Sequence, residues 1–408
     1  MITKKISITI ILVLIIIGNI FSQESIYLEK IFKADAQFHY KNFEIAENLF
    51  SEAINIKNNN ALIYIKRGNC FLAQKNYDKA IKDYKSAILL KNNIAIYKIA
   101  RTYSLANNSV KACEYLNKYL KTKGKFSQSE IKMDTAFSNI ENTKEWNNLW
   151  RNEFYSSYEK ALEEAKYQMF RDKDEEALVI VNKILSKNKK RHEALEIRGD
   201  ILIKFKDYKA AAKNYSEAYK IKSRNSNYIK KAGDAYFLAK KYKNALESYN
   251  IYIEKNPSDI SIFHKKTLCL YKLNNLVEAN NTLNLYLKYY TKDFEALLLS
   301  SKINYGLKEY FTALEKINIC IENDKNNIEY YVLRGDIYSS TDNFENAKND
   351  YAMALDLNPK MPEVYYKRGI AKIKLHDNKG ACSDWQKAQR GGYHKAADYI
   401  EKHCKNKK

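Results

Sequence analysis

An all-α solenoid of about ten stacked antiparallel helix pairs is the fold that this 408-residue sequence predicts. Three observations lead there. Alanine recurs at Ala46, Ala80, Ala112, Ala177, Ala211, Ala245, Ala279, Ala313, Ala347 and Ala381, and the last six intervals are all 34 residues. The chain holds only 11 Gly and 3 Pro, too few for the frequent turns of an all-β protein. A single core rarely grows past ~250–300 residues, so a chain of this length needs several cores or a repeated one. The 45% hydrophobic content is enough for a core, so disorder is not the default reading.

The first element is a leader. Lys4 and Lys5 precede a 12-residue apolar run, Ile6 to Ile17, followed by Gly18 and, shortly after, Ser22 and Gln23. A basic start, a short apolar core and a small residue at the cut predict a signal peptide over residues 1–22. The run falls short of the ~20 residues that span a bilayer. The expected location is therefore periplasmic or extracellular, with an uncleaved anchor as the alternative. Removing Lys4 and Lys5 from the formal charge of +22 leaves +20 for the mature chain. The lysines are spread along helix faces rather than blocked, as solvated surfaces require. Export removes nucleic acid as an ordinary partner; contact with a membrane surface or an anionic envelope polymer stays open.

The repeats follow at 27–60, 61–92 and 93–126, then seven more from 158 to 395. Twelve residues before the phased Ala stand Gly68, Gly199, Gly233, Gly335 and Gly369; four residues after it stand Phe50, Tyr84, Tyr215, Tyr249, Tyr351 and Trp385. Seven after it, Ala recurs at 53, 87, 218, 354 and 388, and twelve after it Pro257 and Pro359 end the second helix. Spacings of four and seven lie on one helical face. Small residues there let two helices approach while an aromatic fills the space beside them. Each pair leaves an apolar face bare and is stable only when stacked.

At these residues the chain resembles the tetratricopeptide-repeat family. The stretch 328–361 carries Tyr331, Gly335, Tyr338, Phe344, Ala347, Tyr351, Ala354 and Pro359 in the family's pattern. The resemblance implies a right-handed superhelical solenoid whose first helices line a concave, partner-binding groove. Carried over, that geometry puts Asn69, Asp200, Asp234, Asp336 and Ile370, each just after a phased Gly, in the groove. Ile65, Glu196, Lys230, Val332 and Tyr366 lie four residues earlier, and Phe237, Tyr271 and Tyr305 add aromatic surface. The Lys and Asn pair with which the family grips a C-terminal carboxylate is kept only by halves, in Ile65–Asn69 and Lys230–Asp234. The acidic residues suit a ligand with basic or amide groups, or simple solvation; both readings stand.

Residues 127–157 interrupt the array, and Ile131, Phe137, Ile140, Trp146 and Trp150 mark them as a helical cap over the third repeat. The expected organisation is thus an N-terminal block at 23–126, the insert, and a C-terminal block at 158–395. A capping helix and tail at 396–408 close the chain. Of six Cys, Cys382 and Cys404 face each other across this last junction and are a disulfide candidate in an oxidising compartment. Cys382, His394, His403 and Cys404 lack the paired short spacings of a zinc site. No HExxH, GxSxG, GxGxxG or phosphate loop occurs, so neither catalysis, cofactor, metal nor small-molecule substrate is expected. The function expected is a protein-protein interaction scaffold in the cell envelope, within an assembly or secretion complex. An electrostatic binder of anionic polymer or membrane is the alternative.

Overall fold

The computed structural model describes residues 23–404; the leader expected at 1–22 and the tail at 405–408 lie outside them. Every regular element among the described residues is helical. The chain divides into two compact units at Ile262 and Phe263, within the helix Ser261–Lys272. The sequence put its block boundary at the insert instead. That segment belongs wholly to the first unit, because its apolar side completes the third repeat.

In the first unit the helices pair as 23–39 with Phe43–Ile56, Ala61–Ala73 with Tyr77–Leu89, and Ile94–Leu105 with Ser109–Leu120. After the insert come Ser157–Phe170 with Asp174–Lys187, His192–Lys204 with Tyr208–Ile221, and Asn227–Leu238 with Tyr242–Lys255. The second unit holds Leu276–Leu287, the pairs Phe294–Gly306 with Tyr310–Asn323, Ile328–Ser340 with Phe344–Leu357, and Pro362–Lys374 with Asn378–Arg390, and a last helix, Ala396–His403.

Each phased Ala from Ala46 to Ala381 is fully buried, so the periodicity marks the line where helices touch. The phased Gly have an equally direct cause. A Cβ at Gly199 would fall 2.5 Å from Cε1 of Tyr215, and one at Gly335 would fall 2.7 Å from Cε1 of Tyr351. Helix propensity alone favours Ala over Gly by ~0.5–1 kcal/mol, whereas overpacking a buried ring costs about 1–3 kcal/mol. Gly199→Ala is therefore expected to destabilise the fifth repeat. A raised urea midpoint in that variant would mean that the Tyr215 ring gives way.

Within a repeat, the first helix ends in one recurring turn. Lys206 takes φ of 61°, its N–H donates to the Ile203 carbonyl and the Asp207 N–H to the Leu202 carbonyl. Lys240 and Lys241 repeat the pattern onto Phe237 and Tyr236. This is the left-handed cap usually given to Gly; here it is filled mostly by Lys, Asn and Asp.

A second recurring device crosses the helix pair. Arg67, Arg334 and Arg368 each donate two hydrogen bonds to a carboxylate 16 residues on: Asp83, Asp350 and Asp384. In the fifth repeat Asn214 takes the place of the acid and accepts from Arg198 Nε at 2.6 Å. The charge difference is visible in the arginines. Hydrogen bonding to the carboxylates raises the pKa of Arg67, Arg334 and Arg368, while burial lowers that of Arg198.

The insert folds as Gln128–Lys132, a 3-10 turn at Thr135–Phe137, and Lys144–Leu149. Ile131, Phe137, Ile140, Trp146 and Leu149 join Tyr97, Leu116 and Leu120 in one buried cluster. Trp150 packs half-buried at its edge, its ring 5.6 Å from that of Trp146. At the chain's other end Ala396–His403 covers Ala381, Trp385 and Ala388 with Tyr399 and Ile400.

Candidate partner-binding cleft

The groove positions are built on the Gly–aromatic contact. An aromatic lying across the phased Gly carries its hydroxyl to the next residue of the first helix. Tyr84 donates to Asn69 at 2.9 Å, Tyr215 to Asp200 at 2.6 Å, Tyr249 to Asp234 at 2.7 Å and Tyr351 to Asp336 at 2.8 Å. A lysine from the following repeat then reaches back. Lys98 donates to Asn69, Lys231 to Asp200 and Lys367 to Asp336, at 3.1, 3.1 and 2.9 Å. Lys66 and Asp35 form the same link between the first two repeats.

Asn69, Asp200 and Asp336 are thus rungs of a ladder that ties successive repeats together. Burial opposes the charge on Lys231, but Asp200 and Glu196 outweigh it and hold the ammonium above its ordinary pKa. Burial and the adjacent Asp200 push the Tyr215 phenol well up, so it remains a donor. The signal for the ladder was present in the sequence. Lys231 and Lys367 each stand 31 residues after their acid, but lysine is so common in this chain that the period does not stand out.

Two groove expectations need correcting. Ile65 is only 6% exposed and belongs to the core of the second repeat. Tyr366 packs beneath the capping helix, its ring 5.0 Å from Tyr393 and 5.2 Å from Tyr399. The other aromatics sit nearer the surface: Phe237 edges onto Tyr242, and Tyr271 lies half-buried under Lys272. In the second unit Tyr305 and Asp336 meet Ser339, Ser340, Lys367 and Ile370 around a small hollow of about 130 Å³. The Tyr305 hydroxyl lies 3.1 Å from Ser340 Oγ.

A larger concavity, about 840 Å³, lies in the first unit. One wall is the strap from Lys121 to Ser127 that leads into the insert; the other comes from the first helices of the fourth and fifth repeats. Polar links hold the strap in place. Lys125 pairs with Glu159 at 2.7 Å, Glu130 with Lys166 at 3.2 Å, and the Ser129 N–H donates to Glu163 at 2.8 Å. Tyr158 donates to Glu193 at 3.0 Å beneath the guanidinium of Arg191, and His192 Nδ1 lies 2.9 Å from the Tyr228 hydroxyl. Burial lowers the pKa of His192.

Six carboxylates line the cleft (Glu130, Glu159, Glu163, Glu193, Glu196 and Asp200) against six lysines (Lys121, Lys123, Lys125, Lys166, Lys222 and Lys231). The basic excess of the chain vanishes there. Glu196 and Asp200 are the sequence-predicted residues in this wall; the strap, Tyr155 and Tyr158 went unpredicted, because no repeat position specifies them. Cys382 and Cys404, 22 residues apart, are joined at 2.03 Å with a Cα separation of 5.7 Å. No group of three His, Cys, Asp or Glu among the described residues is placed to hold a metal.

Tetratricopeptide-repeat family models match residues 61–93, 94–122, 231–259 and 328–361. A TPR repeat-containing protein of Methanocaldococcus jannaschii is 27% identical over 326 residues, covering 74% of this chain and 51% of that protein. The chain thus spans about half the length of this relative. Among solved structures, a tetratricopeptide-repeat protein of Parabacteroides merdae covers 60% of this chain, and 96% of its own length is matched, at 20% identity and a TM-score of 0.45. The C-terminal part of a TPR repeat-containing protein of Cytophaga hutchinsonii covers 58%, with 98% of its own length matched, at 15% identity and a TM-score of 0.49.

Proposed function

From the premise that this chain is a tetratricopeptide-repeat protein, we propose that it is an exported, non-catalytic adaptor that docks a segment of a partner protein. The cleft of about 840 Å³ beside the insert carries this reading. It is large enough for several side chains, aromatic at Tyr155 and Tyr158, and balanced in charge, so occupancy there does not depend on a net charge of the ligand. A segment carrying both amide and charged groups fits such a lining, with its cations toward Glu163 and Glu193 and its anions toward Lys121, Lys123 and Lys222. The basic and apolar leader supports an envelope location, and an assembly or secretion complex is the setting we favour for such an adaptor.

Photocrosslinking from position 158 in envelopes of the native host tests the reading. A partner should be captured by the parent protein, and capture should fall at least tenfold when Glu163→Lys and Lys231→Glu alter the cleft. It should persist at high salt, because contacts within a cleft are screened less than exposed ones. Equal capture by the altered cleft would overturn the assignment. N-terminal sequencing of the mature protein should begin near Gln23; intact residues 1–22 on membrane-bound material would replace export by anchoring.

A further inference from the structure

The turn edge of the fifth and sixth repeats differs from the cleft in every respect. Lys206 and Lys209 flank the fifth turn, and Lys240, Lys241 and Lys243 the sixth; all five are exposed. Among the described residues none of them has an acidic partner. Asp207, the one acid in these two turns, is engaged as the cap of the helix Tyr208–Ile221, accepting from the Ala210 N–H at 3.1 Å. Two large apolar side chains rise among the lysines: Phe205 at 44% exposure and Leu238 at 47%.

The feature is local to these repeats. In the neighbouring fourth turn the corresponding stretch carries Asp172, Asp174, Glu175 and Glu176. Lys204 bridges the two turns, donating to the Met169 carbonyl at 2.7 Å and pairing with Asp172 and Asp174 at 3.1 and 2.9 Å. The fourth and fifth turns therefore lie side by side, and the basic character begins where Lys204 has neutralised those two acids. The left-handed caps at Lys206 and Lys240 give both turns the same backbone form.

We infer that this edge is a docking surface for anionic phospholipid, and that the adaptor rests on a membrane through its fifth and sixth turns. Exposed lysines with no internal partner are drawn to acidic headgroups, each contributing about fivefold to binding near an anionic surface. Phe205 and Leu238 distinguish a bilayer from a soluble polyanion. Apolar tips raised among cations enter the boundary between headgroup and acyl chain, and they gain nothing from a polymer in water. The surface lies outside the cleft lining, so it bears on the placement of the adaptor and not on the identity of its partner.

Flotation with two kinds of vesicle, phosphatidylcholine alone and phosphatidylcholine mixed with phosphatidylglycerol, tests the proposal on the mature chain. Binding is expected to the mixed vesicles only. Lys206→Gln, Lys209→Gln, Lys240→Gln and Lys243→Gln together should weaken it at least 100-fold, while circular dichroism stays unchanged because all four side chains are exposed. Phe205→Ser with Leu238→Ser should weaken binding several-fold at a salt concentration where the charge contribution is already small. Absent binding to the mixed vesicles, or binding indifferent to the lysine changes, would overturn the proposal. Binding to soluble polyphosphate as strong as to vesicles and insensitive to Phe205→Ser with Leu238→Ser would overturn it in favour of an anionic polymer.

Discussion

Replacing Asp350 by Ala is expected to cost about 3 kcal/mol of stability, concentrated in the ninth repeat. The carboxylate is 7% exposed in its side chain and receives both arms of Arg334, at 2.8 and 2.7 Å. Removing it leaves an arginine side chain that is 21% exposed and keeps a hydrogen bond to Asn318 at 2.8 Å. That is the low end of what breaking a buried pair costs, because Arg334 still reaches water. The molecule contains its own control. Asn214 shows that an amide can satisfy the same arginine position, so Asp350→Asn should cost less than half as much as Asp350→Ala. Pairing Arg334→Met with Asp350→Leu should recover most of the loss, since apolar replacements of a buried ion pair are often neutral. Hydrogen exchange over 328–361 is the measurement, because an array loses stability repeat by repeat. Equal costs for Asp350→Asn and Asp350→Ala would show that the charge and the second acceptor oxygen, and not the shape of the side chain, hold the pair.

The arginine device and the phased Gly explain why the fold was legible in the sequence. Each repeat position has one steric or electrostatic task, set by a neighbour 16 residues away on the adjoining helix, and repetition makes the task visible. The groove was less legible for the same reason. Asp200 and Asp336 were read as groove positions, but the lysines that pair with them come from the next repeat, across a distance that local spacing does not expose. Ile65 and Tyr366 were set by analogy with a face. A helix turns 100° per residue, and either a small rotation or a covering helix moves such a side chain from groove to core. The cleft depends on the strap at 121–127, whose path no periodicity dictates. What the repeats determine is the scaffold, and what the interruption adds is the cleft.

Reduction of the bond between Cys382 and Cys404 should release the end of the chain while sparing the rest. The helix it secures, Ala396–His403, has eight residues, too few to persist alone in water. It is held by apolar contact with Trp385 and by the covalent link from the preceding helix. Closing a loop of 22 residues of separation is worth ~3 kcal/mol in the chain-entropy account. Without it, docking rests on Tyr399, Ile400 and Ala396, and the fully buried Trp385 becomes accessible whenever the helix lifts. Limited proteolysis should then cut within 394–404 first and in Asn378–Arg390 second, with the repeats around Ala211 protected. The buried thiols Cys70, Cys113 and Cys320 should not confuse the result. Burial pushes Cys70 up to about 12 and the other two to about 11, so the native protein should alkylate slowly at neutral pH. Six Cys with one disulfide leave four thiols titratable after denaturation without reductant, and six with it. Six without reductant, in protein trapped by alkylation as the cells are opened, would mean that the bond is absent in the native compartment. That outcome would also weaken the proposal of export, because a disulfide of this kind persists where the surroundings are oxidising.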